Sequence, residues 1–277
     1  MILTIGRGAL RSFMAGLTVA LALSAASPAE ASVFLEDLTW TELRDVIAAG
    51  TTTIIIPIGG TEQSGPAMAL GKHNVRVKFL AAKIAEKLGN ALVAPVISYV
   101  PEGNIDPPSS HMRFPGTITI SDRTFEQLLE SAARSFRHHG FRTIVLMGDH
   151  GGYQVDESHV ADQLNAEWAK TPARVYAALD YYRLSRGPYS EKLVAAGAKQ
   201  AEIGSHAGLA DTSLMLAIDP SLVRKDRIAG SPKLGARDGA YGGDPARSSA
   251  EFGQLGVDLI VNGTTQAIRA FIASQTK

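Results

Sequence analysis

The chain has 277 residues, 45% of them hydrophobic and 19% charged, with 27 basic and 27 acidic side chains. That balance excludes a basic surface built for nucleic acid and an acidic solvating tail, and the length suits one globular domain. Cysteine is absent, so no disulfide braces the fold, and any metal must be held by histidine and carboxylate.

Residues 1–12 carry Arg7 and Arg11 and no acid. A short apolar run, 13–23, follows, and then Ala29-Glu30-Ala31. A basic start, a short apolar stretch and an A-x-A end form the pattern of a secretory signal peptide. The run is short of the roughly 20 residues that span a membrane. The expectation is a signal peptide over 1–31, cleaved after Ala31, a periplasmic or secreted domain over 32–277, and no membrane span in the mature chain. No Arg-Arg pair is present, which favours general secretion over twin-arginine export.

From there on, apolar runs alternate with helical patterns. The runs 53–58, 91–97, 143–147 and 174–179 are short and partly β-branched, as strands buried on both faces should be. Between them, 75–88, 123–138 and 153–169 read as helices, with Gly89 and Gly140 at helix ends. This β-α-β-α-β-α-β order predicts an α/β fold with a mainly parallel sheet and helices on both faces. In such folds ligands gather beyond the C-terminal ends of the strands. Residues 229–247, rich in Gly, Pro and Ala, read as an ordered loop before a last helix.

Two of these strands run into polar chemistry. The first continues into Gly59-Gly60-Thr61-Glu62, and the third into Gly148-Asp149-His150-Gly151-Gly152. If both point the same way, Glu62 and His150 share one rim. His73 follows Glu62 by eleven residues. Taken singly, Glu62 also reads as a solvated loop carboxylate, His150 as a turn residue and His73 as a helix-start residue facing water. Further along, His206 and Asp211 lie five apart in "EIGSHAGLADTSLMLAIDP", where Asp211 also suits a helix N-cap. In "HMRFPGTITI", His111 precedes a Pro-Gly turn and an expected strand.

Five of these pieces, in order, resemble the creatininase (creatinine amidohydrolase) family. "PIGGTEQSGPAMALGKH" is similar to P-x-G-x-x-E-Q-H-G-P-H-L-P-L-x-x-D, "HMRFPGT" to H-x-x-F-P-G-T, and "LMGDHGGYQ" to N-G-H-G-G-N. "HAGLADTS" is similar to H-A-G-x-x-E-T-S, and "GGDPARSSAEFG" to a late G-D-P-x-x-A-x-x-E-x-G segment. The resemblance implies a three-layer α/β/α sandwich, a homo-oligomer, and a hydrolase of cyclic or linear amides that uses two divalent ions, commonly zinc or manganese. It also implies that His206 shuttles protons.

The chain departs from those motifs at several places. Ser64 stands for the second histidine of the first motif, Ala67 for the next, and His73 for its aspartate. Gly148-Asp149 replaces Asn-Gly, and Asp211 replaces the glutamate of E-T-S. An imidazole offers one lone pair and cannot bridge two ions as a carboxylate can. The expected centre therefore holds one divalent ion, zinc first and manganese second, on Glu62, His73 and His150. His206 would give a proton to the leaving group, and Asp211 would orient His206 or take a proton from water. Gly151 and Gly152 would offer N–H groups to an oxyanion, with Ser64, His111 and Tyr153 around a small-molecule substrate. Lactone hydrolysis and a non-catalytic periplasmic ligand-binding role are the alternatives to amide hydrolysis.

Overall fold

The run Thr53-Ile54-Ile55-Ile56-Pro57-Ile58 is apolar on both faces of an extended chain, and such a strand needs a packed layer on each side. In the computed structural model it forms β1 (Thr53–Ile58), and all six residues are buried. The structure describes residues 32–228 and 234–275, together with Ile2. Apart from Ile2, the segment read as an export signal lies outside the described residues. No helix among them is long and apolar enough to cross a membrane.

Around β1, in chain order, are α1 (Trp40–Ala48), α2 (Lys72–Leu88), β2 (Ala91–Val93), α3 (Asp122–His138), β3 (Thr143–Gly148), α4 (Gln154–Glu167), β4 (Arg174–Ala177), α5 (Leu179–Leu184), α6 (Gly187–Ala195), α7 (Gln200–Ile203), α8 (Leu209–Ile218) and α9 (Ala250–Ser274). Among the described residues the sheet has four strands in the order β2-β1-β3-β4, and every pairing is parallel.

Side chains alternate across a strand, so β1 feeds two cores. On one face Ile55, Val145 and Met147 pack with Val77, Leu80 and Ile84 of α2 and with Val257, Ile260 and Ile268 of α9. On the other, Ile54, Ile56, Ile58 and Leu146 pack with Phe125 and Leu129 of α3 and with Val160 and Leu164 of α4. The result is a three-layer α/β/α sandwich.

β2 is shorter than the run 91–97 suggests. Pro95 has no N–H to give the ladder. Pairing ends where Ala94 donates to the Ile55 carbonyl (2.8 Å) and returns only as Ile97 donates to the Pro57 carbonyl (3.0 Å). N–H and C=O of one strand residue point the same way, so the nitrogen of Pro57 faces that gap and no bond is lost there. The expected strand after Pro115-Gly116 does not form. Residues 234–247 contain two short 3-10 turns, Ala236–Asp238 and Pro245–Arg247, ahead of α9.

The end of β3 is packed to contact. A Cβ added at Gly148 would lie 1.8 Å from Glu157 Oε1 and 2.6 Å from the Tyr153 ring. Gly148→Ala should cost about 1–3 kcal/mol through overpacking, read as a fall of several degrees in melting temperature. An unchanged melting temperature would contradict this packing.

Candidate metal centre

β1 and β3 are adjacent and parallel, so the chain leaves both at one rim. Glu62 lies just past β1, and Asp149 and His150 lie just past β3. The segment after β2 adds Glu102, and a 3-10 turn, Ser110–Arg113, adds His111. The two glycines after β1 make this convergence possible. A Cβ on Gly59 would sit 2.2 Å from Asn74 Oδ1, and one on Gly60, whose φ is 142°, would sit 2.8 Å from Glu102 Oε1. Bare backbone lets α2 and the Glu102 loop close over the strand end. Asn74 then fastens the turn, accepting from Gly60 N–H (3.0 Å) and donating to Thr61 Oγ1 (3.2 Å).

Residues 117–120, in neither helix nor strand, act as a lace. Ile118 donates to the Thr61 carbonyl (3.0 Å) and Ile120 to the Val100 carbonyl (3.2 Å). Thr117 Oγ1 accepts from Gln63 N–H (3.2 Å), and Thr119 Oγ1 from Glu102 N–H (2.9 Å). The Glu62 and Glu102 loops are thereby held in fixed register.

Glu62 is fully buried, and its two oxygens face different surroundings. Oε1 accepts from His73 Nε2 at 2.7 Å and lies 3.6 Å from Lys72 Nζ and 3.7 Å from His206 Nδ1. Oε2 lies 3.0 Å from His111 Nδ1 and 3.6 Å from His150 Nε2 but makes no hydrogen bond. Both oxygens of buried Glu102 are likewise without a hydrogen-bond partner among the described residues, Oε2 lying 3.7 Å from His150 Nδ1. Ligand atoms of Glu62, Glu102, His111 and His150 all lie within 4.8 Å of one another. Glu62 Oε2 and both Glu102 oxygens have no hydrogen-bond donor among the described residues and lie beside two imidazoles, so a cation can stand there in place of the proton that Glu102 otherwise keeps. Nitrogen and carboxylate oxygen are the donors that zinc and manganese accept. The residues present therefore fit a divalent ion.

The local electrostatics agree. Burial and the neighbouring Glu62 charge push the Glu102 carboxyl up to about 9. Burial opposes the Glu62 charge, but His73, with Lys72 and His150, holds its carboxyl well below the usual range. Burial pushes the His150 imidazole down to about 4 and the His206 imidazole to about 3, and lowers His111 too. Neutral imidazoles keep the lone pair that a metal ligand needs.

The expected ligand His73 is corrected by this geometry. Its Nε2 bonds Glu62 and its Nδ1 bonds Asp149 Oδ2 at 2.5 Å. A ring nitrogen that donates to a carboxylate has no lone pair left for a metal. Glu62 and His150 remain in the ligand group, while Glu102 and His111 complete it. Asp211 does not orient His206. Its carboxylate is bound by Lys72 Nζ (2.8 Å), Arg76 Nη1 (2.8 Å) and Ala207 N–H (3.2 Å). Tyr153 is buried beneath the site, where its hydroxyl donates to the Gly59 carbonyl (2.6 Å) and accepts from His150 N–H (3.1 Å). Gly152 N–H donates to His150 Nδ1 (3.2 Å) rather than facing substrate, and Gly151 sits beside it in the same exposed 3-10 turn. Ser64 is buried, and its hydroxyl has no partner among the described residues. A cleft of about 430 Å³ opens over the centre, lined by His111, His150, His206, Lys72, Arg76 and Tyr182 among others, but not by Ser64 or Tyr153.

A sequence model of one family, described as Creatininase: Creatinine amidohydrolase, matches residues 36–268. The creatinine amidohydrolase of Pseudomonas putida is 28% identical over 254 residues, covering 86% of this chain and 96% of that protein. A mycofactocin precursor peptide peptidase of Mycolicibacterium smegmatis is 28% identical over 238 residues, covering 78% of this chain and 84% of that one. Among solved structures, a mutant creatininase described as Zn-Zn type superposes with a TM-score of 0.70 at 28% identity, covering 87% of this chain and 99% of the other.

The raised Glu102 has a measurable consequence. Without metal, its carboxyl keeps a proton in the folded chain up to about 9, whereas the unfolded chain releases it near the ordinary 4.5. The folded state then binds more protons between those values, so stability falls as pH rises through that window. Glu102→Gln should flatten the fall and raise the melting temperature of chelator-treated protein at pH 8, while weakening zinc binding at least tenfold. A variant that melts lower than the parent at pH 8 and binds zinc as tightly would refute the assignment.

Proposed function

The chain belongs to the creatininase family of hydrolases, and on that footing we propose that it cleaves the amide bond of a small molecule with one divalent ion held by Glu62, Glu102, His111 and His150. The observation that carries this is the set of unpartnered carboxylate oxygens on Glu62 and Glu102 beside His111 and His150. Zinc is the first choice for this donor set, and manganese the second. The amide reading draws on two relatives named for breaking C–N bonds, one in creatinine and one in a peptide. An export signal over residues 1–31 would put the reaction in the periplasm or outside the cell, and the family resemblance supports a homo-oligomer.

When bound there, the ion supplies Lewis acidity and a water of lowered pKa. The chain supplies the rest. Glu102, buried and unpaired, balances the charge at the floor of the site. His206 lines the cleft as a neutral imidazole, its Nε2–H donating to the Gln63 carbonyl (2.9 Å). That bond leaves Nδ1 as the acceptor. His206 therefore takes a proton at Nδ1 from the attacking water and passes it to the leaving nitrogen as the C–N bond breaks, rather than starting as a donor. Gln63 also sets the His111 ring, with Nε2 3.0 Å from His111 Nδ1 and Oε1 fixed by Gly65 N–H (3.0 Å).

Chelator-treated protein reloaded with zinc or manganese and screened against cyclic amides, short peptides and lactones tests this. Turnover of an amide is expected, restored by metal. His206→Asn should lower it about 10²–10⁴-fold and leave metal content unchanged. Turnover of lactones alone would favour the ester reading, and no bound ion with no turnover would favour the ligand-binding one.

A further inference from the structure

The Oε1 side of Glu62 is filled by the protein's own cations. Lys72 is fully buried, with Nζ 2.8 Å from Asp211 Oδ2 and 3.6 Å from Glu62 Oε1. Arg76 donates through Nε to both oxygens of Asp149 (2.8 and 3.1 Å) and through Nη1 to Asp211 Oδ1 (2.8 Å). His73 joins Asp149 back to Glu62. The links close into a ring: Glu62, Lys72, Asp211, Arg76, Asp149, His73 and Glu62 again. Tyr181 adds a hydroxyl donor to Asp149 Oδ1 (2.5 Å). Every carboxylate oxygen in this ring other than Glu62 Oε2 has a donor.

We propose that Lys72, backed by Arg76, is the second cation of this centre, filling the space beside Glu62 Oε1, so that the site takes one ion and no more. The proposal rests on the metal reading above and adds what limits it. A buried ammonium left unpaired costs several kcal/mol, and Lys72 is paired on both sides. An ion entering here would have to displace that ammonium and strip bonded carboxylates from Arg76 and His73. On the Oε2 side it displaces no protein cation, only the proton that Glu102 otherwise keeps. The two cations also differ in kind. Lys72 lies in the cleft wall and is part of the chain, so a chelator that removes the ion leaves it in place. It has three N–H donors, only one of which is within hydrogen-bond distance of a partner among the described residues.

Zinc stoichiometry tests this without any substrate. Chelator-treated protein is given a tenfold excess of zinc, desalted, and measured for zinc per chain by mass spectrometry, with circular dichroism melts to verify folding. Wild type should hold one ion, and His73→Asp should still hold one, because Lys72 remains. Lys72→Met combined with His73→Asp removes two groups that partner Glu62, leaves Arg76 alone to balance its carboxylates, and should hold two. If that pair does not fold, Lys72→Gln with His73→Asp gives the same readout with a polar side chain. Two ions in wild type or in His73→Asp alone would overturn the proposal and leave the metal reading intact, as would a folded double variant that holds one. No ion in wild type would overturn both.

Discussion

Glu62 carries a negative charge at full burial, and the rest of the site follows from how its two oxygens are compensated. A carboxylate removed from water is stable only if each oxygen finds a proton or a cation. One oxygen is answered by His73, with Lys72 just beyond. The other is left facing imidazoles and a second carboxyl, where an added cation can take the place of the Glu102 proton. The sheet makes this possible. Two adjacent parallel strands deliver Glu62 and His150 to one rim, and the loops after β2 bring Glu102 and His111 to meet them.

The same constraint explains the pattern of departures from the family motifs. His73 stands where the motif has an aspartate, and Asp149 stands where it has a glycine. In the fold these two are in contact at 2.5 Å. An acid has in effect moved from the start of α2 to the end of β3, with a histidine left in its former position. Lys72 and Arg76 follow on the same helix, one turn apart, and reach Asp211 and Asp149 together. In this chain the charges of Lys72, Arg76, Asp149 and Asp211 answer one another in contact.

The strands were legible because their runs are apolar on both faces, and parallel order alone placed Glu62 with His150. The end of β2 was less so, since the effect of Pro95 depends on which ladder bond it breaks. Residues 117–120 looked like a strand because Thr and Ile alternate there, yet their bonds go to two loops rather than one partner strand. Spacing and motif show how close the His73 ring lies to Glu62, not that its nitrogens already bind Glu62 and Asp149. Glu102 was missed altogether. It sits in an irregular Pro-Glu-Gly loop with no periodicity, and its one signal is that it follows a parallel strand of the same sheet, where a search for acids and histidines beyond every strand would have reached it.

The central claim is that Glu62 divides the site, with an added ion on its Oε2 side and fixed protein cations on its Oε1 side. Crystals grown with zinc and measured at the zinc absorption edge address it directly. The account predicts a single anomalous peak, about 2.0–2.2 Å from Glu62 Oε2 and the nearest atoms of Glu102, His111 and His150, with Lys72 still paired to Asp211. A peak bound by His73, or a second peak beside Glu62 Oε1, would contradict it.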